Sequence, residues 1–341
     1  MKYANYKRRK RRRSWLWAIP AAILLAALLY VSGILYPSGR GGSPVTDPAL
    51  TDWMASLGDE RPLSLINIPG THDSGTRFIF PDYFLQDQDT SIARQLENGY
   101  RYLDVRVALN KTGDGLDLIH AFGACRTGAA VWSGRLTFDD LVADTLAFLD
   151  AHPGETVIFC VKPERGSDDE GLIRGLIAEK MAQAPDRWFA ENRIPTLGEV
   201  RGRIVLCRRY DAPAGDSGSA PGLDFRWEDQ GDPAVLENPV AVAGNGAFTL
   251  AVQDRYHYAV EDKWNAVTYT LRNTTAAENT FCLNFLSTAQ GKLPHPRGFA
   301  REMNRLFLAE ELTAGTPYGV ILFDFADADL ARAVIDTNLL P

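Results

Sequence analysis

Short apolar runs that break off in charge recur along this chain, and their spacing separates strands from helices. In "YLDVRVAL", Leu103, Val105 and Val107 alternate with Asp104 and Arg106. A period of two sets both charges on one face of a strand. "VIFCVK" and "GVILFDF" are continuous apolar runs, as expected of parallel strands covered on both faces. The same reading predicts strands at 64–68, 102–108, 116–120, 156–161, 203–208, 249–253, 281–286 and 319–324. The first is expected to stop at a Pro69-Gly70 turn. Helices are predicted over 89–99, 138–151, 170–182, 258–277 and 299–313. The second is best marked: Thr137 caps it with Asp140 at the third helical position, and Pro153-Gly154 stops it. Strands alternating with helices predict an irregular (β/α)8 TIM-like barrel spanning 49–341. An open doubly wound sheet is the alternative, but it normally carries a Gly-rich phosphate loop, and "PGTHDSG" is not one.

One apolar run differs from the rest. Trp15 to Tyr36 holds 22 residues without a charge. At ~1.5 Å per residue it reaches about 33 Å, enough to cross a bilayer. Seven consecutive Lys and Arg precede it, which puts 1–14 in the cytoplasm and reads 15–36 as a transmembrane signal anchor. Residues 37–48, rich in Gly, Pro and Ser, read as a flexible linker. The expected location is the cell membrane, single-pass, with the 49–341 domain outside the cytoplasm. Secretion after cleavage near Val31-Ser32-Gly33 is the alternative.

Charge sharpens this picture. Eight of the 36 basic residues lie in the first 13 positions, so the remainder carries 28 basic and 43 acidic residues. So acidic a body argues against a nucleic-acid partner. Cys125, Cys160, Cys207 and Cys282 lack metal-ligand spacing, and Cys160 and Cys207 fall in predicted core strands.

The candidate chemistry lies at strand ends. His72 and Asp73 follow the first strand, and Asp104 and Arg106 close the second. His120 ends "LDLIH", and Lys162 and Glu164 end "VIFCVKPE". Arg208 and Arg209, then Asp254, Arg255 and Tyr256, then Asp324 end the later strands. Seven strands finishing in ionisable groups would set them on one rim, where barrel active sites are built. The cations suit an anionic, phosphate-bearing substrate. Two histidines, each tuned by a carboxylate, suit general base and general acid across a phosphodiester. Neither Gly-x-Ser-x-Gly nor His-Glu-x-x-His occurs. His152, His257 and His295 lie in turn or polar contexts and read as structural.

Taken in order, "IPGTHDSGT", "YLDVRV", "LIHAFG", "FLDAHPGETVIFCVKPE", "RGRIVLCRRY", "VQDRY" and "VILFDF" resemble the bacterial phosphatidylinositol-specific phospholipases C, from Trp53 to the C-terminus. The resemblance implies an irregular TIM barrel. It implies cleavage of phosphatidylinositol, or of a glycosylated inositol lipid, to diacylglycerol and a 1,2-cyclic inositol phosphate. His72 is then the general base on the inositol 2-hydroxyl, with Asp324 orienting it. Arg106 binds the phosphate. His120 is the general acid, with Asp73 as partner and Asp104 bracing the group. Lys162, Arg209, Asp254 and Tyr256 line the inositol pocket. Calcium-dependent relatives carry Asn after the first His; here Asp73 and Arg106 stand instead, so neither metal nor cofactor is expected. Many secreted relatives have Gly directly after the second His, where this chain has Ala121.

Two other functions fit parts of the pattern. One is a metal-dependent barrel phosphodiesterase, such as a glycerophosphodiesterase or a phospholipase D-like enzyme. The other is a non-catalytic, membrane-anchored inositol- or glycan-binding protein. The loop "TRFIFPDYF", 76–84, is the candidate lipid-contacting rim, with packing on the barrel as the alternative.

Overall fold

The structure is a computed structural model and describes residues 18–25, 47–130, 132–212, 220–291 and 295–338. Twelve strands form among the described residues: β1 Ile68–Thr71, β2 Tyr102–Leu109, β3 Leu116–His120, β4 Gly123–Ala124, β5 Val157–Pro163, β6 Trp188–Phe189, β7 Ile204–Arg208, β8 Leu223–Asp224, β9 Ala241–Gly244, β10 Thr249–Gln253, β11 Thr280–Phe285 and β12 Val320–Phe323. Eight of them run parallel around the barrel in the order β8-β7-β5-β2-β1-β12-β11-β10, and the two-residue β6 also pairs parallel with the start of β7, ahead of β8. The first strand pairs with the last, Thr71 opposite Phe323, which is barrel connectivity rather than that of an open sheet. β9 folds back antiparallel along the outer edge of β10, and among the described residues no ladder joins it to β8, so the barrel is closed at that seam by side chains. Asn245 donates to the Asp224 carbonyl at 2.9 Å, Gln230 to the Val252 carbonyl at 3.1 Å, and the Phe225 and Phe248 rings lie 5.8 Å apart.

Alternation along the strands sorts the interior from the helix-facing side. Tyr102, Ile158, Cys160, Val205, Cys207, Leu250 and Val252 pack in one core. Leu103, Val105, Val107, Val157, Phe159, Val161, Ile204 and Leu206 pack in a second, with Leu141, Phe148, Ile173 and Ile177 of the covering helices. The inward series then turns polar: Asp104 and Arg106 on β2, Lys162 on β5, Arg209 just beyond β7 and Asp254 just beyond β10. Each inward face is apolar at the floor and charged at the mouth. All four cysteines are free and buried.

Four expectations change. The first strand is displaced: Leu63–Leu65 forms a 3-10 turn, and β1 contains Pro69 and Gly70. Pro69 is tolerated because its carbonyl is what the sheet uses, accepting from Arg101 N–H at 3.0 Å. Gly70 is favoured by tight packing rather than by a turn, since a Cβ there would lie 3.1 Å from Leu322 Cγ and 3.2 Å from Tyr102 Cβ. The predicted strand 116–120 exists as β3, but it folds back antiparallel on β2 and is not part of the barrel. Its place among the eight is taken by the two-residue β8, beyond a stretch that reads from sequence as a polar loop. The helix predicted at 89–99 shortens to Ile92–Glu97, behind a Ser91 cap.

The helices Phe138–Ala151 and Glu170–Ala182 match their predicted bounds, and the first carries the Thr137–Asp140 capping box. Those predicted at 258–277 and 299–313 form as Val260–Asn273 and Pro296–Leu308. Of the predicted membrane span 15–36, residues 18–25 are helical and exposed, and the rest lies outside the described residues, as does most of the 37–48 linker. Among the described residues no helix is long and apolar enough to cross a membrane.

Away from the charged rim, a fully buried ion pair ties the N-terminal segment to the barrel. Arg101 Nε lies 2.8 Å from Glu155 Oε2, both side chains being fully buried. The guanidinium also donates to the carbonyls of Leu96, Tyr100, Leu50 and Thr51. Glu155→Ala would leave that cation buried without its counter-charge. It is expected to lower unfolding free energy by ~3–5 kcal/mol, read by chemical denaturation.

Candidate active site

A cavity of about 620 Å³ opens at the charged mouth of the barrel, within the usual size of a small-molecule site. His72, Asp73, Arg106, His120, Lys162, Arg209, Asp254, Tyr256 and Asp324, nine of the ten predicted site residues, line it. The tenth, Asp104, lies buried behind them and braces them. Its Oδ2 accepts from Asp73 N–H at 3.3 Å and from Arg106 Nη2 at 3.1 Å.

The centre is the Asp73 carboxylate, 2% exposed. His72 Nε2 lies 3.2 Å and His120 Nε2 3.5 Å from its Oδ2, and Arg106 Nε lies 3.4 Å from its Oδ1. Neither carboxylate oxygen accepts a hydrogen bond of good alignment, so charge holds it there. Burial works against the ionised form, but Arg106, His120 and His72 outweigh it and hold Asp73 well below the usual carboxylate range.

The far nitrogens of the two imidazoles are held differently. His72 Nδ1 lies 2.8 Å from Asp324 Oδ1, on β12's extension. His120 Nδ1 points at the Leu85 carbonyl, 3.0 Å away, with Asp87 Oδ2 beside it at 2.9 Å as a charge partner outside hydrogen-bond alignment. Burial opposes the charged ring in both. For His72 the Asp73 and Asp324 carboxylates overcome it and push the ring up to about 10. For His120 the Asp73 and Asp87 carboxylates do the same, again to about 10. Asp324 is pushed up to about 6, chiefly by burial and against the pull of His72.

Backbone geometry is special at the same three places. Asp73 has φ 42°, Ala121 φ 50° and Phe325 φ 48°, all left-handed. Each directly follows a site residue, His72, His120 or Asp324, and such clustering of unfavourable backbone is typical of functional sites. Ala121 stands where Gly would relax the backbone, and its N–H donates to Glu164 Oε1 at 3.3 Å.

Sequence reading missed several members. Glu164 reads from the sequence only as the charged end of "VIFCVKPE". It takes Arg106 Nη1 at 3.1 Å and Lys162 Nζ at 3.5 Å. Asp87 carried no signal beyond its polar context. Trp227 and Asp229 reach the cavity from the seam: the Arg209 guanidinium lies 3.5 Å over the Trp227 ring, Trp227 Nε1 donates to Asp254 Oδ2 at 3.3 Å, and Tyr256 donates to Asp229 at 2.6 Å. His257, read as structural, also lines the wall. His152 pairs with Asp52, and His295 stacks on Tyr83. Of the rim charges, Arg208 is buried against Asp224 and Arg255 is buried below the Pro239 carbonyl; both are structural. His120 reaches the rim from the β3 hairpin, so the barrel strands supply six of the seven charged ends.

His72, Asp73 and Asp87 offer ligand-type atoms within 4.8 Å of one another, a spacing open to a cation. The Asp73 carboxylate also faces Arg106 and both imidazoles, which answer its demand for positive charge. Phe84 and Phe122 line the mouth, and Phe80, Tyr83 and Phe122 are exposed, the last by 74%. Ile79, by contrast, packs inward.

No family model matches the chain. Among curated proteins, the 1-phosphatidylinositol phosphodiesterase of Listeria monocytogenes is 27% identical over 339 residues, covering 93% of this chain and 96% of that one. The enzyme of the same name from Staphylococcus aureus is 28% identical over 286 residues, 80% of this chain and 81% of its own. Among solved structures, a phosphatidylinositol-specific phospholipase C of Staphylococcus aureus superposes with a TM-score of 0.68 at 24% identity, covering 85% of this chain and 98% of its own. That of Listeria monocytogenes gives 0.65 at 23%, covering 85% and 99%. The structural matches show the fold, and the sequence matches extend over 80–93% of the chain. Over most of its length the chain is similar in sequence to bacterial proteins named 1-phosphatidylinositol phosphodiesterase, and it has the fold of bacterial phosphatidylinositol-specific phospholipases C.

Proposed function

We propose that this protein cleaves phosphatidylinositol to diacylglycerol and 1,2-cyclic inositol phosphate. The observation that carries the reading is the grouping of two histidines and one guanidinium around a single buried carboxylate, in a cavity sized for a sugar-like ring. His72 takes the proton of the inositol 2-hydroxyl, with Asp324 fixing the ring through Nδ1. The hydroxyl oxygen attacks phosphorus and the phosphorus–oxygen bond to diacylglycerol breaks. His120 gives its proton to the departing oxygen. Arg106 faces the phosphate and stabilises the charge gathering on it. Lys162, Arg209 and Asp254 bond ring hydroxyls, and Tyr256 stacks on the ring. Water attacking the cyclic product, with the two histidines exchanging roles, gives slow further hydrolysis. The fixed charge of Arg106 does the work a divalent ion does elsewhere, so the reaction needs no metal.

The exposed Phe80, Tyr83 and Phe122 beside the cavity suit contact with a bilayer holding the substrate. The apolar 15–36 segment, behind its basic run, would tether the catalytic domain to its own membrane with the barrel outside the cytoplasm. The substrate is then phosphatidylinositol in that membrane, or a glycosylated inositol lipid presented to it.

Full-length protein incubated with phosphatidylinositol micelles and excess chelator is expected to give a cyclic inositol phosphate resonance by phosphorus NMR. Activity appearing only with a divalent ion would favour a metal-dependent phosphodiesterase instead. Binding without turnover would favour the binding-protein reading. His72→Ala and His120→Ala are each expected to lose ~10²-fold or more in kcat, the usual scale for general acid and base groups.

The pH dependence follows from the charges. Both imidazoles hold their protons above histidine's ordinary 6.5. The base must be neutral and the acid protonated, so kcat/KM is expected to describe a narrow bell displaced to alkaline pH. Asp73→Asn removes a negative charge that raises both rings. Both limbs are therefore expected to move to lower pH, and limbs that stay in place would count against Asp73 as their common tuner.

A further inference from the structure

The four candidate partners of the two histidines are not equivalent. Asp73 serves both rings, Asp324 serves His72 alone, and Asp104 faces Arg106. That leaves His120 Nδ1, whose hydrogen-bond acceptor is the Leu85 carbonyl and whose charge partner is Asp87 Oδ2, 2.9 Å away but out of hydrogen-bond alignment and otherwise unpartnered. Asp87 is 2% exposed and therefore not an incidental surface acid. Its placement is secured from three sides. Thr76 Oγ1 accepts its N–H at 3.1 Å while donating to the Asp73 carbonyl at 2.7 Å. Its own carbonyl accepts Phe325 N–H at 2.6 Å, next to Asp324. Arg297, which lies 4.1 Å over the Phe325 ring, pins the same loop through Asp89 and Gln86. The groups facing His120 are thus Asp73 from the turn after β1, Asp87 from the rim loop, and Glu164 after β5 through Ala121 N–H, the last neutralised by Arg106 and Lys162.

We infer that Asp87 is the positioning residue of His120: it fixes the ring through Nδ1 so that Nε2 presents its proton to the departing diacylglycerol oxygen. The inference rests on the reading of His120 as general acid. It gives His120 the counterpart of what Asp324 gives His72, a carboxylate behind the working nitrogen. It also ties the acid to the segment that carries Phe80 and Tyr83, because the short helix Asp82–Leu85, which holds Tyr83, joins Phe80 to Asp87.

The test compares two substrates and two variants in the full chain. On phosphatidylinositol, Asp87→Asn is expected to lower kcat about 10- to 100-fold with KM little changed, a smaller loss than the ~10²-fold or more for His120→Ala. With an inositol phosphodiester whose leaving group is p-nitrophenol, no proton need be delivered, and both variants are expected to return to near wild-type rates. That recovery also shows that the variants are folded. Asp87→Asn with wild-type kcat on the lipid would overturn the inference, as would an equal loss on both substrates, which marks a structural role. If His120→Ala itself keeps full activity on the lipid, the reading of the general acid fails first, and the inference falls with it.

Discussion

A buried carboxylate with no well-aligned hydrogen bond is tolerated only when charge surrounds it, and Asp73 is such a group. Its negative charge needs Arg106, His72 and His120, and they in turn owe their positions to it. The surrounding structure reads as the apparatus that keeps this cluster together. Gly70 lets β1 run close between its neighbours, so that the chain turns at Asp73 in the left-handed region. Gln88 donates to the carbonyls of His72 and Phe323 and accepts from Ala326 N–H, locking the turns after β1 and β12 to each other. Asn304 holds the Asp324 carbonyl from the helix behind. Removing water from the site is acceptable because every acid in the centre meets a cation or a ring N–H.

The two halves of the proposed acid–base pair stand on different foundations. His72, Asp324 and Arg106 sit on barrel strands or their immediate extensions, where registers are fixed by parallel ladders. His120 and Asp87 come from outside the barrel, one from the β3 hairpin and one from the aromatic rim loop. The base side is therefore built on rigid elements, and the acid side is assembled from two excursions that meet over Asp73. This division suits a reaction at a membrane surface, where the ring must be held firmly while the lipid end departs towards the rim.

Much of this was legible because period two acts on both core and site. In "YLDVRVAL" the alternation that buries Leu103, Val105 and Val107 also turns Asp104 and Arg106 into the mouth. The same rule placed Lys162 and Asp254, with Arg209 one residue past its strand. Local signals failed where tertiary demands outweighed them. Pro69-Gly70 has the composition of a turn, yet it is strand because both flanking strands pair with it, and a Cβ at Gly70 would press on their side chains. The two-residue β8 is too short to show any period. "LDLIH" has the pattern of a barrel strand, and nothing local reveals that it folds back on β2. Asp87 was unreadable for a similar reason: its meaning comes from a histidine more than thirty positions later in the chain.

The unladdered seam between β8 and the β9–β10 hairpin has its own consequence. Lys162 and Arg209 belong to one wall of the cavity and Asp254 and Tyr256 to the other, and where the sheet is interrupted the walls meet through Trp227, Gln230 and Asn245. In a fully ladder-bonded barrel, pocket diameter is dictated by strand number and tilt and cannot change without changing the fold. Here the circumference includes one stretch whose length is a matter of side-chain size. The aperture offered to a headgroup is thus an adjustable quantity, open to revision residue by residue while the seven paired strand junctions keep their register.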